Sequence, residues 1–482
     1  MSNMKSAVRA ASRRSFMKSA LAAGAFPLLP GCFSPKGYVA NSKVRLACCG
    51  VGGMGGGDIG YLHSTGLCDV VALCDVDLGA KQTQKMLAAH PKAARFHDFR
   101  EMFDRMADQF DAVTAGVPDH SHFPIAMRAM KEGKAIYSEK PLGHTFHEIQ
   151  LMVDAAEKYG VVTQMGNQGH SYESYYQMRD YVASGVIDPN RVARIEAHMN
   201  YSRRWHKWNG KVTRIPVTTS PLPETMSAKD WQTWLGTVPD DLPFSKDLHY
   251  GEWRSWFKLG NGCLGDWGAH IIDGIHEFFD LGLPTEVAIS DVSGWNEYVF
   301  PMVDTVTFRF PPKEGRKAID IVWREGIGNY PELPKGFVVR GADGIPKSGS
   351  QTFDKVESLP AGKEIWMEDG TVWQGGSHNV PLLRCGAEES ELPGWELRNE
   401  QKDWPVGHYA NFLRAVRGET KTTSPFSVAG PLSQVFTLGC IAQRLNRGIK
   451  FDPVAKQVVD DAEANAMLAP PVRRGWEEYY SV

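Results

Sequence analysis

The sequence predicts an α/β fold in two parts: an N-terminal doubly wound parallel sheet, then an α+β domain built on an open, largely antiparallel sheet. Three observations carry this. Glycines spaced G-x-G-x-x-G join an apolar strand to a helix near residue 50. Short apolar strands and helices then alternate as far as residue 165, the pattern of a parallel sheet covered on both faces. Beyond residue 192 further strands follow, with helices expected on one face only. At 482 residues the chain is too long for one simple core. The expected division is 1–41 as leader and linker, 42–165 as the first domain and 166–482 as the second.

The leader reads as an address. Ser12-Arg13-Arg14-Ser15-Phe16-Met17-Lys18 precedes a short apolar stretch over 20–29, the pattern of a twin-arginine export signal. The stretch is too short to span a bilayer. Leu29-Pro30-Gly31-Cys32 resembles a lipoprotein cleavage site, so acyl chains on Cys32 would tether the chain to a membrane; a free periplasmic protein is the alternative. The chain has eight Cys and no paired metal-type spacing, and its cysteines are expected as small buried hydrophobes. A formal net charge of −3 and the lack of a Lys/Arg-rich run argue against a nucleic-acid partner.

The first domain opens with the strand Val44-Arg45-Leu46-Ala47-Cys48-Cys49, the glycine turn 50–55, a helix over 56–64 and a second strand, 70–74, that ends at Asp75. Gly50 permits the tight turn, Gly52 keeps the backbone clear for a pyrophosphate, and Gly55 lets helix and strand approach. Gly53 and Met54 lie inside the same turn. A helix N-terminus offers free N–H groups to phosphates. Asp75 can accept bonds from both ribose hydroxyls and repels a 2′-phosphate, so NAD is expected and NADP disfavoured. Together these are the Rossmann dinucleotide-binding arrangement. Helices over 79–89, 99–106 and 123–132 and strands over 111–117, 135–138 and 161–165 complete the domain.

In the second domain a helix is expected over 171–184, strands over 192–200, 289–292, 305–310 and 319–323, and helices over 408–417 and 432–447. The stretch 201–250, with Trp205, His206, Trp208, Trp231 and Trp234 among prolines, reads as a sugar-pocket wall or a packing loop. Residues 331–405 read as hairpins and a lid, and 470–482 as an extended tail docking on this or another subunit.

Four ordered motifs give the chain a resemblance to the Gfo/Idh/MocA oxidoreductases, the glucose–fructose oxidoreductase and inositol dehydrogenase group: the glycine turn, Pro118-Asp119-His120, Glu139-Lys140-Pro141 and Gly265-Asp266-Trp267-Gly268-Ala269-His270. The resemblance implies that Lys140, Asp266 and His270 form the catalytic group, with Pro118, His120, His122, Glu139 and Lys140 at the cofactor. It also implies a homo-oligomer formed through the free sheet face. The residues fit this reading by themselves. Lys140 follows a strand at its carboxyl end, the edge where ligands bind in such sheets. Asp266 and His270 lie four apart and share a helix face, where a titratable imidazole can take a hydroxyl proton. Asn167 and His170, at the handover to the second domain, are expected in the substrate pocket beside Asp266 and His270. Asp273 and His276 are expected to continue that face as a satisfied polar network, and no metal is expected.

The leading expectation is hydride transfer between a secondary hydroxyl of a sugar or polyol and a tightly held NAD. The first alternative is an NAD-dependent glycoside hydrolase acting by transient C3 oxidation and elimination. The second is a non-catalytic sugar-binding protein that retains NAD.

Overall fold

Apolar runs of three to seven residues build the first sheet, and the helices between them cover it. The computed structural model describes residues 42–200, 212–314, 316–339, 359–378, 380–386 and 406–482. The twin-arginine motif, Cys32, Arg203, Arg204, Trp205, His206 and Trp208 lie outside the described residues. In order come β1 (Val44–Cys49), α1 (Gly53–Ser64), β2 (Cys68–Cys74), α2 (Gln84–Ala89), β3 (Ala94–Phe96), α3 (Phe99–Met106), β4 (Ala112–Ala115), α4 (Asp119–Lys131), β5 (Ala135–Ser138), α5 (Phe146–Tyr159) and β6 (Thr163–Met165). The strands form one parallel sheet in the order β3-β2-β1-β4-β5-β6. This doubly wound order reverses between β1 and β4, which opens a crevice at their carboxyl ends.

Several elements differ from the sequence expectation for local reasons. Helix α1 begins at Gly53 rather than 56, because tertiary contact overrides the poor helix propensity of its glycines. A Cβ on Gly55 would stand 2.3 Å from the Gly50 carbonyl oxygen, so only glycine allows this packing. Helix α4 begins at Asp119 rather than 123. Helix α5 was not expected, although its boundary signals are in the sequence. Thr145 and Glu148 form a capping box at its start, and Gly160 ends it in the left-handed region at φ 59°.

The second part contains α6 (Glu173–Ala183), β7 (Val192–Met199), α7 (Ala228–Leu235), α8 (Gly262–Ile271), α9 (Asp273–Phe278), β8 (Glu286–Ser293), β9 (Val303–Phe310), β10 (Ile319–Glu325), β11 (Gly362–Met367), β12 (Val372–Gly376), β13 (Leu383–Arg384), α10 (Val406–Val416), α11 (Phe426–Leu445), β14 (Ile449–Asp452), β15 (Gln457–Val458) and α12 (Ala462–Leu468). Its nine-stranded sheet runs β13-β12-β11-β7-β10-β9-β8-β14-β15. Only β7 and β10 pair in parallel; the other neighbours are antiparallel. One face carries buried Ile195, Phe308, Ile321 and Trp323 into the core shared with Leu264 and Phe436. The opposite face is charged and is partly covered: Val338 exchanges two hydrogen bonds with the Gln374 amide, and Glu332 pairs with Arg194.

Helices α10 and α11 return to the first sheet. The Met165 N–H donates to the Ser424 carbonyl (2.9 Å), and the Gln164 amide donates to the His408 carbonyl (2.8 Å). The tail contains a 3-10 turn at Glu477–Tyr480 rather than running fully extended. None of the seven described cysteines forms a disulfide, and Cys48, Cys49 and Cys74 are buried in β1 and β2 as expected.

Candidate active site

The glycine turn sits at the crevice. Gly50 has φ +81°, and a Cβ there would meet the Gly116 carbonyl oxygen at 2.2 Å, so β1 must leave the sheet through glycine. Helix α1 then starts with neither a side-chain cap nor an acidic residue in its first turn, which leaves its N–H groups available to an anion. The Asp75 carboxylate accepts from the Val51 N–H at 2.8 Å and the Asp77 N–H at 3.0 Å, fixing the turn to the end of β2. Gly50, Asp75 and Gly116 line a cavity of about 450 Å³ that also reaches Gly52, Gly53, Met54, Pro118, Glu139 and Lys140. The residues fit a dinucleotide. Among the described residues, the Lys/Arg side chains lining the cavity are Lys140 and Arg254, 2.7 and 3.9 Å from Asp266 rather than beside Asp75. Among the described residues, then, no lining Lys or Arg stands ready to offset a 2′-phosphate at Asp75, which favours NAD.

At the other end of the cavity two elements meet. Lys140 follows β5, Asp266 lies on α8, and their side chains pair at 2.7 Å. Both are nearly buried, at 13% and 8% side-chain exposure, so removing Asp266 would leave the Lys140 charge without this partner inside the protein. His270 lies one turn further along α8 and is buried. It does not line the cofactor cavity itself. Its Nδ1 is buried without a hydrogen-bond partner among the described residues. Burial holds this imidazole well below the ordinary His range, and His378 and Lys140 push the same way. The ring is therefore neutral near pH 7 and open to a proton.

Among the other buried histidines, His198 and His249 also keep an Nδ1 without a hydrogen-bond partner among the described residues, and His249 lines the cavity, whereas His120 and His122 have both nitrogens engaged. His120 lies between the carbonyls of Leu259 (3.0 Å) and Trp234 (2.8 Å), and His122 between those of Pro141 (2.8 Å) and Val117 (2.9 Å). Neither lines the cavity, which corrects the expectation of cofactor contact; they brace the loops behind it. His170 pairs with Asp273 at 2.8 Å and Glu277 at 3.2 Å. Burial opposes charge on this ring, but the two carboxylates outweigh it and push His170 up to about 9. The Asn167 amide donates to the same Asp273 oxygen at 2.9 Å. Asn167 and His170 thus belong to a closed ionic network, not to the open pocket expected of them. The α8 row also ends early. The helix breaks at Ile272, Asp273 turns to His170, and His276 contacts the Gly282 carbonyl at 2.8 Å.

Glu139 is a buried carboxylate beside Lys140. It accepts from the Gln168 amide at 2.9 Å, and burial pushes it up to about 7. Asp58 on α1 is raised by burial and by Glu139.

Sequence reasoning missed several lining residues. Asp119 sits in a quoted motif; its carboxylate accepts from the Asn261 N–H at 2.9 Å, and burial pushes it up to about 7. Trp253, Tyr250 and Arg254 reach the cavity from residues 250–254, beside Trp234, which the sequence did offer as a pocket wall, and Trp476 reaches it from the tail. The tryptophan-rich composition of that stretch was the available signal. Trp476 docks on its own chain, under the Arg100 guanidinium at 4.7 Å.

The fold and the cleft define a two-part α/β protein with a Rossmann-type, NAD-binding first part. Residues 44–167 match a family model described as oxidoreductase family, NAD-binding Rossmann fold. Residues 386–478 match one described as oxidoreductase family, C-terminal alpha/beta domain. Both models belong to the Gfo/Idh/MocA family, and together they support that family for this chain. A glycosyl hydrolase family 109 protein of Shewanella amazonensis is 31% identical over 166 residues, 30% of this chain and 36% of the relative. An inositol 2-dehydrogenase/D-chiro-inositol 3-dehydrogenase of Lactiplantibacillus plantarum is 27% identical over 146 residues, 30% of this chain and 41% of the relative. The chain thus spans well under half the length of these curated relatives. Among solved structures, the WlbA dehydrogenase from Bordetella pertussis, in complex with NADH and UDP-GlcNAcA, has a TM-score of 0.56 at 15% identity, covering 85% of this chain and 99% of that one.

Proposed function

We propose that the chain is an NAD-dependent oxidoreductase acting on a secondary hydroxyl of a sugar or polyol, with Lys140, Asp266 and His270 as its catalytic group. The observation that carries this is the Lys140–Asp266 pair at the cavity beside an imidazole whose buried nitrogen is unengaged. The α1 N-terminus and Asp75 would hold the pyrophosphate and ribose. Bound there, NAD supplies a hydride acceptor or donor for the substrate carbon. Lys140, fixed by Asp266, donates a hydrogen bond to the substrate oxygen and polarises it. His270, neutral at pH 7, accepts the hydroxyl proton or returns it in the reverse direction. Trp234, Trp253 and Tyr250 keep bulk water from the cleft. The dehydrogenase relatives support this reading.

The family 109 relatives support a second reading, NAD-dependent glycoside cleavage by the same residues. One assay separates the two. Purified protein is followed at the NADH absorbance band while free sugars and then aryl glycosides are added. A change with free sugar and no aglycone release supports the dehydrogenase; aglycone release without net NADH supports the hydrolase. No response to either contradicts both and leaves the non-catalytic binder. Twin-arginine export, a lipid on Cys32 and a homo-oligomer built on the outer face of the second sheet belong to the same proposal. Fractionation of the native host, mass spectrometry of the mature N-terminus and light scattering test them in turn.

A further inference from the structure

The tip after β12 reaches α8 from more than one hundred residues away in sequence and presents a second imidazole to the first. The ring centroids of His270 and His378 are 3.9 Å apart with an interplanar angle of 22°, a stacked pair. The tip is pinned to its surroundings. The His378 N–H donates to the His270 carbonyl at 3.1 Å, and the Ser174 hydroxyl donates to the His378 carbonyl at 2.6 Å. Its backbone sits at φ 52°, where residues other than glycine are uncommon and are held only by their surroundings. Trp267 closes the arrangement edge-on, 5.7 Å from His378 and 6.0 Å from His270.

We infer that His378 is a positioning residue for His270: its ring lies flat on the His270 imidazole and fixes the plane in which that imidazole meets the substrate hydroxyl. This deepens the reading under Proposed function and rests on it for the identity of the reaction. The other buried pairs at this site are held through their nitrogens, as His170 is by Asp273 and Glu277. Holding His270 at both nitrogens in that way would leave no lone pair to take a proton. A stacked ring orients the imidazole through its face and leaves its edge free. Electrostatics adds to this. Two imidazolium rings at this distance repel, so a proton on one disfavours a proton on the other. Among the described residues, the main groups acting on His270 are His378 after β12, Lys140 after β5, Asp266 on α8 and His408 on α10; of these Asp266 favours the charged ring, against burial and the other three.

Two variants separate the stack from the charge. His378→Phe keeps a flat ring without a proton; His378→Asn tolerates the left-handed backbone and removes the ring. The full-length protein is labelled with 13C at histidine Cε1 and titrated by NMR, the His270 signal being assigned by its loss in His270→Gln. The His270 midpoint is expected below the ordinary His range in the wild type and higher by ~0.5 pH unit or more in both variants. In turnover assays His378→Asn is expected to lose roughly tenfold in kcat with KM nearly unchanged, because a misoriented base costs rate rather than binding. His378→Phe should restore kcat above its own acid limb. An unchanged His270 midpoint in both variants overturns the inference. The titration needs no turnover. Failure to find any oxidised alcohol would sink the proposed reaction while a moved midpoint still upholds the pairing.

Discussion

At the scale of single residues, the account separates histidines that work from histidines that brace. His270→Gln removes the proton acceptor and should lower kcat by roughly 10²–10⁴-fold while NAD binding is retained, measured by steady-state kinetics and NADH fluorescence titration. His170→Gln instead breaks an ionic network of Asp273 and Glu277 and should show mainly as a lower melting temperature. Gly50→Ala places a Cβ 2.2 Å from the Gly116 carbonyl and should abolish NAD retention, read as loss of cofactor from the purified protein. Much of this was legible in the sequence. The glycine spacing, the acid closing β2 and the i,i+4 pair on α8 are local patterns with local causes. Which histidines have their nitrogens engaged was not legible. The carboxylates that take up His170 lie 103 and 107 residues further along the chain, and the carbonyls that hold His120 lie 114 and 139 residues away. His378 was hidden for the same reason, in a stretch with no periodicity to place it.

At the scale of elements, ion pairs and buried acids tie strands and helices together. Lys140–Asp266 joins the end of β5 to α8 across 126 residues of sequence. Asp266→Ala would leave a buried cation and should cost about 3–5 kcal/mol, measured by urea unfolding. Between β9 and β10, Asp304 stands opposite Glu325 in the strand register, and both side chains are buried. The Gln443 amide and the Trp323 indole bridge to them. Burial pushes Glu325 up to about 7. The folded state therefore holds a proton that the unfolded chain releases in the ordinary Glu range. Stability from this group is complete below that range and is lost as pH rises through about 7. Glu325→Gln keeps the hydrogen bonds without the ionisation. Its melting temperature should move above the wild-type value as pH is raised from 5 to 8. A constant difference across that range would contradict the assignment. The register itself follows from alternation: apolar Val306, Phe308 and Phe310 face the core while Thr305, Thr307 and Arg309 face away. Helix α5 was the opposite case. Its capping box and terminal glycine were present in the sequence, but its mixed composition concealed them.

At the scale of the whole molecule, the second part closes the crevice that the first part opens. Residues 228–254 bring Trp234, Tyr250 and Trp253 over the cavity, the Tyr250 hydroxyl donates to Asp77 at 3.1 Å, and Trp476 returns from the tail to the same space. Under the proposed function, a cofactor held between these walls and the glycine turn is expected to stay bound through turnover. Asp75→Ser should narrow the preference for NAD over NADP and loosen the turn anchored at Val51, read as the ratio of the two dissociation constants. The most direct test of the central claim is a crystal structure of the protein loaded with NAD. The account predicts the pyrophosphate on the Gly50–Gly55 turn, with the nicotinamide end within hydrogen-bond reach of Lys140, about 3 Å, and the His270 edge facing the open side of that ring. A nicotinamide bound away from both Lys140 and His270, or a crevice that excludes the dinucleotide, would contradict it.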